Sequence, residues 1–272
     1  MKTPGTDKKF TGYIPDVYDS YFVPLKFAPY AADMAKRIPA GARDVLEIAA
    51  GTGVVTRALD AVLPANVSIT ATDLNQAMID KAAAATPSQR AIIWRQADAM
   101  SLPFPDQSFD VVVCQFGAMF FPDKAAAFAE ARRVLRPGGT FLFNVWDRIE
   151  NNPLSQAVVD AMAEHFPDNP AAFFARTPHG YYDRDAIARD LQSAGFDRAP
   201  VIETVTLRAQ ASSARDVAIG FCQGSPLRNE IEERAPDGID AATNAAAAVI
   251  ANRFGHGAID APMQAHIITI RK

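Results

Sequence analysis

The stretch Val45-Leu-Glu-Ile-Ala-Ala-Gly-Thr-Gly53 joins an apolar run to a glycine turn, and a helical pattern from Val54 to Leu63 follows at once. Strand, tight turn and helix in that order constrain the fold more than any other part of the chain. The glycines let backbone approach a ligand closely, and the free N–H groups of the helix start face the same place. The combination predicts a nucleotide-binding sheet edge. Glu47, an acid inside the strand, narrows the choice of ligand.

Regular alternation continues from there. Strand-like segments fall at Val45–Ala49, Ser68–Thr72, Ala91–Gln96, Phe109–Phe116 and Gly139–Val145, with helical patterns at Val54–Leu63, Gln76–Ala85 and Lys124–Leu135 between them. Strands alternating with helices of this length imply βαβ units and a parallel sheet with helices on both faces. Before the first strand, Tyr18 to Ile38 reads as one or two amphipathic helices broken near Pro24. After Trp146 the alternation loosens. Asn151 to Phe174 and Ser213 to Phe254 read as helical insertions, Arg184 to Ala194 as a helix closed by Gly195, and Val201–Arg208 and Gln264–Ile270 as further strands. The expected organisation is a single domain. Residues 1–43 form a helical cap, 44–150 the cofactor-binding core, 151–180 and 212–257 lid insertions, and the remainder completes the sheet.

Composition removes several function classes. At 272 residues with 49% hydrophobic and 21% charged residues the chain is an ordinary globular sequence. A net charge of −4 gives no electrostatic case for nucleic acid or an anionic membrane as partner. Two cysteines, Cys114 and Cys222, are too few for a disulfide framework. The four histidines (His165, His179, His256, His266) are scattered without ligand spacing, so no metal is expected. No segment approaches the roughly 18 apolar residues of a membrane span, and the polar start of the chain is unlike a signal peptide. The expectation is a cytoplasmic protein with no membrane insertion; oligomeric state is open.

The ends of the next strands carry acids. Asp73 closes Ile69-Thr-Ala-Thr-Asp73, about 20 residues past the glycine turn, where a carboxylate can accept both hydroxyls of a ribose. Asp98, in Arg95-Gln-Ala-Asp98-Ala-Met100, could accept from an exocyclic amine such as adenine N6. The apolar run Phe109 to Phe116 then opens into the aromatic loop Gly117-Ala-Met-Phe-Phe121. Ligands of open α/β sheets bind outside the carboxyl ends of the strands, so all four features share one edge. Each has a plainer reading: Asp73 could cap the helix after it, and Asp98 could be a surface turn residue.

Taken together, Val45–Gly53, Ala71-Thr-Asp73-Leu74-Asn75, the run from Ala97-Asp98-Ala99 to Phe109-Asp110, and Glu130-Ala-Arg-Arg-Val-Leu-Arg-Pro-Gly-Gly139 resemble a class I S-adenosylmethionine-dependent methyltransferase. The likeness is to the broad group that includes the ubiquinone/menaquinone-type enzymes. It implies an α/β, Rossmann-like seven-stranded sheet with the last strand antiparallel, and S-adenosyl-L-methionine as methyl donor. It also implies roles. Glu47 and the turn Ala49, Gly51, Thr52 and Gly53 would hold the methionine end. Asp73 would take the ribose, Leu74 and Met78 would lie against the adenine, Asp98 and Ala99 would read its edge, and Gln115 would sit near the sulfonium. Many members carry glycine where this chain has Ala49.

An acceptor pocket would draw its walls from the N-terminal segment, the loop after the fourth strand, the end of the fifth strand and the two insertions. Tyr18, Tyr21, Phe120, Trp146, Tyr181 and Phe221 are candidates, an aromatic set suited to a flat or apolar small molecule. A hydroxyl or acidic carbon acceptor is helped by a general base, for which His179 in Thr177-Pro-His-Gly-Tyr-Tyr182 is the first candidate, although a surface or core-satisfied histidine is the more common case. The expected activity is methyl transfer to oxygen, carbon or nitrogen of a small molecule. Two alternatives stand beside it. One is a non-catalytic S-adenosylmethionine-binding regulatory module. The other is a nicotinamide-dependent oxidoreductase, which is disfavoured because Gly51-Thr-Gly53-Val-Val-Thr56 lacks the third glycine of G-x-G-x-x-G.

Overall fold

The computed structural model describes residue 7, residues 12–88 and residues 90–272. The rest of the expected N-terminal cap, residues 1–6 and 8–11, lies outside the described residues. Seven strands form one sheet: β1 Asp44–Ile48, β2 Ser68–Asp73, β3 Ile93–Gln96, β4 Phe109–Gln115, β5 Leu135–Trp146, β6 Val201–Ala211 and β7 Ile259–Arg271, in the order β3-β2-β1-β4-β5-β7-β6. The first five are parallel. β7 runs the other way: Gly138 N–H donates to Lys272 O while Asp147 N–H donates to Gln264 O, so residue numbers fall on one strand as they rise on the other. The central strands are mostly apolar because both faces are covered; Val45, Leu46, Ile48 and Val111 to Cys114 are fully buried. Each such side chain contributes about 1.5–3 kcal/mol, which fixes their register firmly. β3 at the edge is largely exposed instead.

Packing divides the chain into two compact units. One is the sheet unit, Tyr30–Val145 with Tyr181–Val205 and Ala265–Lys272. The other is a helical unit made of the segment through Pro29, Trp146–Gly180 and Thr206–Gln264. In the helical unit, helix Ala214–Gln223 packs on both Ile239–Phe254 and the Tyr18–Phe27 segment, and Ile239–Phe254 also packs on Pro153–His165. Ala242 and Ala246, fully buried, allow the close approach.

Two local expectations change. Pro24 does not break the N-terminal helix: Tyr18–Phe27 is a π-helix containing it, followed directly by the α-helix Ala28–Lys36. Proline removes one N–H and crowds the carbonyl one turn back, and the wider π turn accommodates both. β5 also begins earlier, at Leu135 rather than Gly139, with a register shift opposite Phe109 and Val111. Residues Arg136 to Gly139 bulge there, Gly138 at φ 77°, and Arg136 pairs with both Asp44 (2.8 Å) and Asp110 (2.7 Å). Asp110 also accepts from the N–H groups of Arg43 and Asp44. Burial pushes its carboxyl up, but these partners together outweigh that effect and hold it below the usual carboxylate range. Helices Val54–Val62, Gln76–Ala85 and Lys124–Val134 lie where the periodicity predicts, the last capped by Asp123, whose carboxylate accepts from Ala126 N–H at 2.9 Å.

Candidate cofactor edge and a buried aromatic cluster

β1 leaves the sheet through three left-handed residues, Ala49 (φ 56°), Gly51 (φ 55°) and Gly53 (φ 82°). Gly53 is the residue before helix Val54–Val62 and offers no capping side chain, so the first N–H groups of that helix remain for a ligand. The turn is pinned from β2: Ala50 N–H donates to Thr72 O at 2.9 Å, and Gly51 N–H donates to Asp73 Oδ2 at 2.9 Å. Asp73 Oδ1 accepts from Asn75 N–H at 2.8 Å. Helix Gln76–Ala85 starts after Asn75, so Asp73 is not its cap. Burial raises the Asp73 carboxyl above its ordinary value, and the N–H donors of Asn75 and Gly51 oppose the shift.

Glu47 is buried beneath the turn with Thr56 Oγ1 donating to its Oε2 at 2.5 Å. Burial pushes its carboxyl up to about 8, and the neighbouring Asp73 charge adds to the shift. Glu47 is therefore largely protonated at neutral pH. Thr52 is buried and Leu74 is exposed at the end of β2, with Met78 buried one helical turn on. Asp98 is exposed in a turn of its own, its carboxylate accepting from Met100 N–H at 2.9 Å, with Ala99 beside it. Gln115 ends β4 opposite Asn144 of β5. The loop after β4 closes on the glycine turn: a Cβ at Gly117 would lie 2.5 Å from Ala49 Cβ and 2.8 Å from Cys114 Sγ. Ala49 thus occupies space that Gly117 vacates. Cys114 itself is inert, its thiol pushed up to about 12 by burial.

Sequence reasoning missed Asn144. It is fully buried; its Oδ1 accepts from Phe116 N–H at 2.8 Å, holding that residue at φ 50°, and its Nδ2 has no hydrogen-bond partner among the described residues. An asparagine inside Phe141-Leu-Phe-Asn-Val-Trp146, an otherwise apolar strand, was the available signal.

The expected acceptor residues belong to both units. Tyr181 belongs to the sheet unit, where its hydroxyl donates to Asp190 Oδ2 at 2.6 Å and Lys124 Nζ lies 4.6 Å from its ring centre. Phe120, also in the sheet unit, is half-buried. Tyr21, in the helical unit, is exposed. Tyr18, Trp146, Phe221 and His179 do come together in the helical unit. Tyr18 lies 5.2 Å from Phe27, Phe27 6.1 Å from Trp146, and Trp146 6.1 Å from His179, while Phe22 bridges Phe27 (5.3 Å) and Phe221 (4.9 Å). His179 is buried with Nδ1 2.7 Å from Asp147 O, which makes Nδ1 the donor and leaves the Nε2 lone pair. Burial, and then the Lys26 charge, lowers its imidazole to about 3, so the ring is neutral at physiological pH. Lys26 is the residue in this cluster that periodicity gave no reason to single out. Among the described residues no His, Cys, Asp and Glu group could hold a metal ion, and no helix is long and apolar enough to cross a membrane.

A family profile described as "Methyltransferase domain" matches residues 46–143. The ubiquinone/menaquinone biosynthesis C-methyltransferase UbiE of Burkholderia orbicola is 31% identical over 169 residues, 56% of this chain and 67% of that protein. Among solved structures, a phosphoethanolamine N-methyltransferase 2 of Haemonchus contortus, in complex with S-adenosylhomocysteine, aligns with TM-score 0.61 at 15% identity, over 98% of this chain and 59% of the other. The [4+2]-cyclase SpnF aligns with TM-score 0.53 at 21% identity, over 90% and 80%. The latter two speak for the fold alone. The sheet with its antiparallel last strand and the sequence relationship together place this chain in the family of class I S-adenosylmethionine-dependent methyltransferases. It is an enzyme of that family, its methyl donor is S-adenosyl-L-methionine, and its curated relatives are of the UbiE type.

Gly117→Ala is expected to cost about 1–3 kcal/mol of stability through overpacking, read by urea denaturation. Adding Ala49→Gly should recover part of that loss, leaving the Cys114 contact. Strictly additive costs in the double mutant would show that the two loops do not press on one another.

Proposed function

We propose that this methyltransferase acts on an apolar or aromatic small molecule, methylating an oxygen, carbon or nitrogen atom. The observation that carries the reading is the buried aromatic cluster of the helical unit, which has the character of a small-molecule site, few polar groups set in apolar walls. The net charge of −4 agrees, since it disfavours polyanionic acceptors. The relatives' name speaks of carbon methylation in ubiquinone and menaquinone biosynthesis, which favours carbon among the three atoms.

On the donor side, the residue roles rest on chemistry and placement. S-adenosylmethionine supplies an electrophilic methyl on a sulfonium, so positioning and exclusion of water are the main tasks of the protein. Glu47 and the turn Ala49, Gly51, Thr52 and Gly53 hold the methionine end. Asp73 has lone pairs beyond those taken by Gly51 and Asn75, and these accept from the ribose hydroxyls. Leu74 and Met78 form the apolar platform for adenine, Asp98 and Ala99 meet its edge, and Gln115 lies towards the sulfur. On the acceptor side, the neutral His179 offers Nε2 as a hydrogen-bond acceptor that orients a hydroxyl.

Three measurements test these roles. Asp73→Ala should weaken S-adenosylhomocysteine binding by about 1.5–3 kcal/mol, the worth of lost charge-assisted hydrogen bonds; unchanged affinity by calorimetry would remove the ribose assignment. Glu47, protonated in the free protein, should ionise on meeting the ammonium of the ligand. Binding then releases a proton, and affinity rises with pH until about 8 and levels off above it. The sign for stability is opposite, because the folded chain holds this proton between 4.5 and about 8 and the unfolded chain does not, so the contribution falls as pH rises through that window. Calorimetry in buffers of different ionisation enthalpy counts the proton, and a zero count in wild type, or an unchanged one in Glu47→Gln, sinks the idea. His179→Ala should lower kcat/KM by roughly tenfold, the size of one lost hydrogen bond; wild-type turnover would return the ring to a packing role.

A further inference from the structure

Lys26 is only 3% exposed, on the π-helical segment Tyr18–Phe27. Its Nζ lies 3.4 Å from Ser155 Oγ, 3.9 Å from the centre of the Trp146 ring and 5.6 Å from that of Phe221. Among the described residues no carboxylate pairs with it. The titratable groups facing this region are His179, which the Lys26 charge helps keep neutral, and Asp147. The Asp147 carboxylate is engaged elsewhere, accepting from Arg148 N–H and Asn151 Nδ2, each at 2.7 Å. A buried cation with one neutral hydrogen bond and aromatic faces for neighbours is expensive, and a methionine of similar length would fill the space without that cost. Its presence is a candidate functional feature on physical grounds. The π-helix that carries it points the same way, since such segments recur at functional sites.

We propose that Lys26 is the proton-accepting and anion-holding residue of the acceptor site, taking the proton of an ionisable oxygen on a flat aromatic acceptor and pairing with the anion that results. This rests on the small-molecule reading above and names the acceptor chemistry: a phenol, enol or carboxylic acid carried on an aromatic body. Trp146 and Phe221 supply walls for the ring, and Ser155 orients the amine. Burial lowers the Lys26 amine to about 7, so both amine and ammonium are populated near neutrality, as a proton acceptor needs. The step balances without another reactant. The acceptor O–H bond breaks, an N–H bond forms on Lys26, and the lone pair left on oxygen, or its conjugated carbon, is the nucleophile. After transfer to oxygen the proton on Lys26 leaves to solvent; after transfer to a ring carbon the C–H bond there breaks, that proton leaves to solvent, and Lys26 returns its proton to the oxygen.

The test uses the full chain and 2-naphthol, whose anion absorbs at longer wavelength than the neutral form, with naphthalene as the control lacking the ionisable oxygen. Wild type at pH 8 should bind 2-naphthol as its anion, with the red-shifted band, and at least about tenfold more tightly than naphthalene, the discrimination of one charge-assisted hydrogen bond. Lys26→Met should bind both equally and show no red shift, while binding S-adenosylhomocysteine as wild type does. Lys26→Gln is the second variant if Lys26→Met does not fold. Stability supplies a further readout. Between about 7 and 10.5 the unfolded chain keeps the Lys26 proton that the folded chain has shed, so wild-type stability gains a term that rises with pH there and that Lys26→Met lacks.

No saturable 2-naphthol binding to wild type, binding in the neutral form, or a variant that keeps the wild-type preference for 2-naphthol over naphthalene overturns the proposal. The S-adenosylhomocysteine measurement keeps the two readings apart. Loss of naphthol discrimination with donor binding intact concerns Lys26 alone, whereas a wild type that binds no S-adenosylhomocysteine undoes the donor-site roles instead.

Discussion

The hydrogen bond from Gly51 N–H to the Asp73 carboxylate is the interaction on which the glycine turn after β1 depends. A turn with three left-handed residues has no secondary structure of its own to hold it, and Ala49 adds the strain of a side chain in a region that favours glycine. Asp73, at the end of the neighbouring parallel strand, fixes that turn while its own position is fixed by Asn75. One carboxylate therefore links β1, β2 and the start of the following helix. The Gly117 loop presses on the other side through Ala49, so the turn is held from both neighbours of β1. Such double constraint is what allows strained backbone to persist.

Burial of charge is the second theme, and the same physics acts with opposite results. Glu47, Lys26 and His179 are each withdrawn from water, and desolvation favours the neutral form of each. For the acid this means holding a proton at neutral pH. For the two bases it means lone pairs available near neutral pH. In each unit the enclosure favours the neutral form of the buried group, and any charge placed beside it acts more strongly than it would in water.

Most of the sheet was legible because its signals are local. β1, β4 and their helices show periodicity over short segments, and the acids at successive strand ends lie at fixed distances from the turns they serve. Pro24 misled for the same reason: locally it reads as a break, whereas a π turn accommodates its ring and its missing N–H without ending the helix. The Arg136 to Gly139 bulge was likewise hidden, since its anchor is Arg136 pairing with Asp44, 92 residues away in sequence. Asn144 and Gly117 gave weak local signals whose meaning lies in contacts with other strands.

By itself the sequence determined the alternating sheet, the glycine turn and the positions of Glu47, Asp73 and Asp98 along one edge, because strand, turn and helix are decided over a few residues each. Tertiary structure alone decided which charges are buried and how they titrate. Lys26 looks like any surface lysine at the end of a helical segment. It becomes a buried amine only when Trp146, Ser155 and Phe221, 120 to 195 residues further along the chain, close around it. Desolvation is a property of that enclosure, and no short stretch of sequence contains it.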